Sequence, residues 1–150
     1  GMDKEEWRKV YKAYWIRFIE SLVLDDPEQP MAKPTALGNI FFPLPPSGSI
    51  AWVTTFFSKQ EREVGCFLRL RNEPAGRELY QALAEEKDRI EVDLPFPVLW
   101  DVNRRMVIRC RKVTGEWPPV NDKEVDAYLA ETINGFVNVF RPRLARLAGI

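Results

Sequence analysis

A chain of 150 residues has the length of one domain and is long enough to bury a continuous core. Its 45% hydrophobic and 29% charged content excludes disordered and fibrous classes, and no apolar run approaches the ~18 residues of a membrane helix. Lys plus Arg equal Asp plus Glu at 22 each, so no general attraction to nucleic acid or anionic lipid is implied, and any basic surface must be local.

Gly1 before Met2 reads as a remnant of tag cleavage, and no signal-peptide pattern follows it. Cys66 and Cys110 lie far apart without a CxxC spacing, so two reduced, buried thiols are expected rather than a disulfide. These features point to a cytoplasmic protein without a membrane partner.

The first helix is expected from about Asp3 to Leu24. Trp7, Tyr11, Tyr14, Phe18 and Leu22 recur at steps of three and four, and Val10 and Trp15 widen the stripe. Asp3 is placed to cap its start, and Asp25-Asp26-Pro27 to end it. Residues 26–48 carry six prolines together with Leu37, Ile40, Phe41, Phe42 and Leu44, so this segment should wrap over the core with a short extended piece near Asn39–Phe42. Pro45-Pro46-Ser47-Gly48 is a turn.

A β-branched and aromatic run follows, with Ile50, Trp52, Thr54 and Phe56 alternating against Ala51, Val53, Thr55 and Phe57. The charged tip at residues 58–62 predicts a hairpin into a return strand from Glu63 to Arg71. On that strand Val64, Cys66, Leu68 and Leu70 face one way, and Glu63, Gly65, Phe67, Arg69 and Arg71 the other. A second helix should begin after Asn72-Glu73-Pro74, with Leu79, Leu83 and Ile90 inward and an end near Glu91. Residues 90–94 also alternate like a strand. Pro95-Phe96-Pro97 enforces extended chain into Val98–Val102. Asn103-Arg104-Arg105 reads as a turn and Met106–Val113 as a fourth strand. Asn121 followed three residues later by Glu124 suggests a capping box for the last helix, which runs through Val125, Leu129, Ile133, Phe136, Phe140 and Leu144 and should bend near Pro142. The fold expected is α+β over residues 1–150, in the order α-β-β-α-β-β-α, with an antiparallel sheet of two hairpins and helices mainly on one face.

The chain contains no histidine, which removes Ser-His-Asp, Cys-His and His-containing zinc arrangements. It has neither a GxGxxG nor a GxxxxGK[ST] loop. Glu91, Asp93 and Asp101 are the carboxylates to weigh for a metal-dependent enzyme. A nuclease of the PD-(D/E)XK kind needs an acid and a lysine two apart on a strand, yet Lys112 follows Cys110 at that spacing, and Glu85 and Lys87 lie in a helix.

The most specific feature is an Arg-x-Arg pattern on two strands: Arg69 with Arg71, and Arg109 with Arg111. On one sheet face these four guanidinium groups would form a local anion or nucleic-acid site, extended by Arg104, Arg105 and Lys112, with Phe67 available to stack on a base. The plainer alternative is a charged outer face, with Glu63 in phase with Arg69 and the surface balanced overall. Trp52, Trp100 and Trp117 fit packing positions better than ligand platforms.

The Trp-bearing first helix, the Pro-Ser-Gly-Ser-Ile turn ending at Ile50, and Glu63-Val64-Gly65-Cys66-Phe67-Leu68 form an ordered set. So do the Leu79…Leu83…Lys87…Ile90-Glu91 helix, Val98-Leu99-Trp100, and Phe140-Arg141-Pro142-Arg143…Leu147. Together they resemble the bacterial and archaeal domain-of-unknown-function family 4268 over nearly the whole chain. Family members occur alone or C-terminal to nuclease-like domains, so the resemblance implies at most a DNA-linked accessory role and assigns no catalytic residue.

The function expected first is thus a non-catalytic binding or interaction module using Arg69, Arg71, Arg109 and Arg111, with nucleic acid or protein as partner and no cofactor or metal. The alternatives are a carboxylate–metal enzyme and a homodimeric adaptor that uses the Pro-rich segment or a sheet edge.

Overall fold

The computed structural model describes residues 1–101 and 106–149. Its elements run α1 (Lys4–Ser21), β1 (Asn39–Pro43), β2 (Ala51–Ser58), β3 (Glu63–Leu70), α2 (Pro74–Glu85), α3 (Lys87–Asp93), β4 (Leu99–Asp101), β5 (Val107–Val113) and α4 (Lys123–Leu147). The fold is α+β, with a five-stranded antiparallel sheet in the order β1-β2-β3-β5-β4.

The element order departs from expectation in two places. The extended piece in the Pro-rich segment is a full edge strand, paired with β2 from Asn39↔Phe56 to Pro43↔Trp52. Pro43 ends that edge strand, a position where its missing N–H costs the ladder little. The middle helix is two helices: α2 closes where the Glu86 N–H bonds to the Leu83 carbonyl, and α3 begins where the Ile90 N–H bonds to the Glu86 carbonyl. Residues 90–93 are helical because Ile90 and Leu94, four apart, both reach the core.

The α1 stripe lies where the aromatic spacing put it. Tyr14, Trp15 and Phe18 are buried, and the Asp3 carboxylate accepts the Glu6 N–H at 2.9 Å. Truncating Trp15 to alanine would remove about 3–5 kcal/mol. The helix stops at Ser21, short of Leu24, because Leu22 turns extended. The chain then wraps as expected. Asp25 accepts from the amides of Asn134 and Asn138, the Gln29 amide donates to the Pro43 carbonyl, and the Trp15 indole donates to the Leu37 carbonyl. Ile40, Phe42 and Leu44 are fully buried, while Leu37 and Phe41 are exposed.

α4 is continuous through Gly135 and Pro142. Its cap is Asp122, whose carboxylate accepts the N–H groups of Glu124 and Val125; Asn121 does not hold that position. Leu129, Ile133, Phe136 and Phe140 pack with Ile40, Val53, Val64, Leu68 and Ile108 of the sheet in one core cluster, which α1 and α2 also enter. Arginines beyond Phe140 fasten the rest of the chain to α4: Arg141 to Asp26 at 2.9 Å, Arg143 to Asp93 at 2.7 Å, and Arg146 to Glu86 at 2.7 Å. No described helix is long and apolar enough to cross a membrane.

The strand expected over Val98–Val102 is described as Leu99–Asp101, and the one expected from Met106 starts at Val107. The turn Asn103-Arg104-Arg105 lies outside the described residues, as do Val102 and the two arginines offered as an extension of the basic patch.

Candidate functional site

The helices and the core cluster occupy one side of the sheet. Strand alternation sends every second side chain to the other side. Reading across the register gives four rows on that outer face, the fourth being Ser58, Glu63 and Val113 at the hairpin end. The first is Pro43, Trp52, Arg69, Val107 and Asp101; the second is Phe41, Thr54, Phe67, Arg109 and Leu99; the third is Asn39, Phe56, Gly65 and Arg111. Phe41, Trp52, Phe56, Phe67 and Leu99 do not belong to the core cluster. Phe41 is 46% and Leu99 57% exposed.

The two Arg-x-Arg strands are therefore neighbours on one face, because β3 pairs directly with β5. Their four arginines are in different situations. Arg111 is locked to Glu63, Nη1 to Oε2 at 2.9 Å, and that carboxylate is almost fully buried. Arg71, just past the end of β3, donates through Nε to the Ser49 carbonyl at 2.7 Å and lays its guanidinium 5.5 Å from the Trp52 ring centroid. Arg69 and Arg109 have no ion pair among the described residues. Arg109 stands directly across from Phe67, and Arg69 is the next outward residue along β3. Glu63 thus pairs with Arg111 of the neighbouring strand. Lys112 does not extend the patch, since it lies opposite Val64, whose side chain joins the core.

Of the aromatic residues on the face, Phe67 was expected from the sequence, whereas Phe41, Trp52 and Phe56 were missed. Trp52 fits a core position by type, yet it is half-buried on the outer face beneath Arg71. Phe56 reaches Phe67, with ring centroids 5.8 Å apart and planes at 41°. Gly65 makes that contact possible. A Cβ there would collide with the Cys110 carbonyl oxygen and lie 3.0 Å from Phe56 Cζ, so the ring sits in space that a side chain would fill. Trp100 and Trp117 do pack against the core, as expected of them.

The carboxylates do not assemble. Glu91 accepts from the Trp100 indole at 3.1 Å, Asp93 is bound to Arg143, and Asp101 is engaged on β4. Among the described residues no group of three His, Cys, Asp or Glu side chains is arranged to hold a metal ion. Cys66 and Cys110 face each other across β3 and β5 as free, buried thiols. Burial is the main cause that pushes both thiols above their ordinary pKa, which disfavours the nucleophilic thiolate. The arginines of the Phe140-Arg141-Pro142-Arg143 segment are committed to ion pairs that hold the fold.

Comparison of the chain with protein-family models, curated proteins and solved structures returned no match.

Proposed function

We propose that the protein is a non-catalytic binding module whose outer sheet face takes an anionic partner, nucleic acid first among them. The observation that carries this reading is the pair Arg69 and Arg109, unpaired among the described residues and set around Phe67 on a face the core does not use. Guanidinium groups bind phosphate bidentately, and an aromatic ring between them offers a surface for a base. The resemblance to domain-of-unknown-function family 4268 agrees with a DNA-linked setting by association and adds no residue to the site.

The test is binding of a fluorescein-labelled mixed-sequence oligonucleotide by anisotropy across a salt series. The wild type should bind at low salt, with log K falling linearly against log salt. The Arg69→Ala/Arg109→Ala double variant should bind more weakly and with a shallower slope. Absence of binding at 50 mM salt, or a double variant indistinguishable from wild type, would sink the reading.

A further inference from the structure

The outer face selects a strand conformation as well as a charge. We infer that the ligand is single-stranded nucleic acid, bound with its bases stacked on the aromatic rings of this face and without strict sequence preference. This rests on the anion-binding reading above and narrows it.

Three observations support it. The first is the chemistry of the face. Phe67, Phe56 and Phe41 lie outside the core cluster, and Phe41 at the β1 edge is 46% exposed; the Trp52 ring, also outside the core, is already covered by the Arg71 guanidinium. An aromatic ring on a sheet surface can use only the π-face of a base, and a duplex hides those faces within its own stack. The second is breadth. Five strands at a spacing of about 4.8 Å make a face about 19 Å across, whereas the major groove is about 12 Å wide. A two-stranded ribbon enters that groove, but the flat of this sheet does not. The third is charge. Glu63 cancels Arg111 and Asp101 shares the face, leaving a small positive excess centred on Arg69 and Arg109. That excess suits a few phosphates of a flexible strand better than the dense double row of a duplex. It also opposes a second copy of the chain, because a face-to-face dimer would set one positive surface against another.

The experiment measures the affinity of the full chain for a labelled 12-nucleotide oligodeoxythymidylate and for a 12-base-pair duplex at one salt concentration. Two variants separate stacking from charge. Phe67→Leu keeps apolar bulk but removes the π-face, and Phe41→Ser acts at an exposed edge outside the core. Thermal melts confirm that each is folded. The single strand should bind at least ten-fold tighter than the duplex. Phe67→Leu should lose about ten-fold for the single strand and little for the duplex, as expected of a lost stacking contact. The Arg69→Ala/Arg109→Ala variant should weaken both ligands. Equal affinity for the two ligands would overturn the single-strand inference and leave the anion-binding reading standing, as would a Phe67→Leu variant without loss. Binding to neither ligand would overturn both. So would capture of a protein partner that depends on Phe67 and Phe41 in the absence of nucleic acid binding.

Discussion

Arg109 and Arg111 stand two residues apart on one strand and point the same way, yet they differ in what they hold. Arg111 neutralises a carboxylate that is 5% exposed, whereas Arg109 is exposed and has no ion pair among the described residues. Arg111→Ala leaves the Glu63 charge buried without its partner, and should cost about 1–3 kcal/mol in a urea titration. Arg109→Ala should change stability by less than about 0.5 kcal/mol and act on binding instead. Gly65→Ala forces a methyl group into the Cys110 carbonyl and the Phe56 ring, so it should destabilise by roughly 2–4 kcal/mol, read as a lowered melting temperature. The sequence made the in-phase arginines legible, because a period of two is independent of tertiary context. It did not show which arginine Glu63 would hold, since that depends on the register of β3 against β5. Trp52 was misread by residue type, although a signal existed. A four-residue loop places Ser58 opposite Glu63, and counting back puts Trp52 beside Arg69 and not in the core.

At the scale of elements, the helices were legible where spacing and caps agreed and less so where two local signals competed. α1 shows both features, with its aromatic stripe and its Asp3 cap. At the start of α4 two candidate caps adjoin, and pattern alone favoured Asn121 because Glu124 follows at the capping-box distance. The structure gives the role to Asp122. Asp122→Ala should therefore lower stability by about 1 kcal/mol, while Asn121→Ala should leave the unfolding midpoint unchanged. β1 was expected as an extended piece without a partner. A strand bracketed by prolines acquires its identity only from the neighbour it pairs with, and that pairing is not written in its own five residues. The break between α2 and α3 has no Pro or Gly to announce it.

The whole molecule is fastened by acidic residues from distant segments that converge on α4. Glu86 is bound by Arg146 through two short contacts and lies 3.5 Å from Arg143 Nε. The hydrogen bond from Arg146 is the largest cause that holds the Glu86 carboxyl below its usual range; burial opposes it, and the charges of Arg146, Arg143 and Arg89 add to the lowering. Asp25 is lowered in the same direction by the Asn134 and Asn138 amides. A carboxyl whose pKa is depressed by folding contributes its stability fully above the unfolded value, about 4.3 for Glu, and loses it as pH falls through the folded value. Urea midpoints should hence decline as pH drops below about 5, and Arg146→Ala should flatten that decline relative to wild type.

The sheet order carries a kinetic consequence. β1, β2 and β3 are successive in the chain and pair as a meander, but β5 joins β3 only after α2, α3 and β4 have been spanned. Closing that long intervening segment costs entropy before any contact repays it, so β3–β5 docking is expected late in folding. Phe67 and Arg69 arrive with the early meander and Arg109 with the late strand. The face is complete only when the last strand has docked, so a ligand of the kind proposed would distinguish the finished fold from a partly assembled sheet.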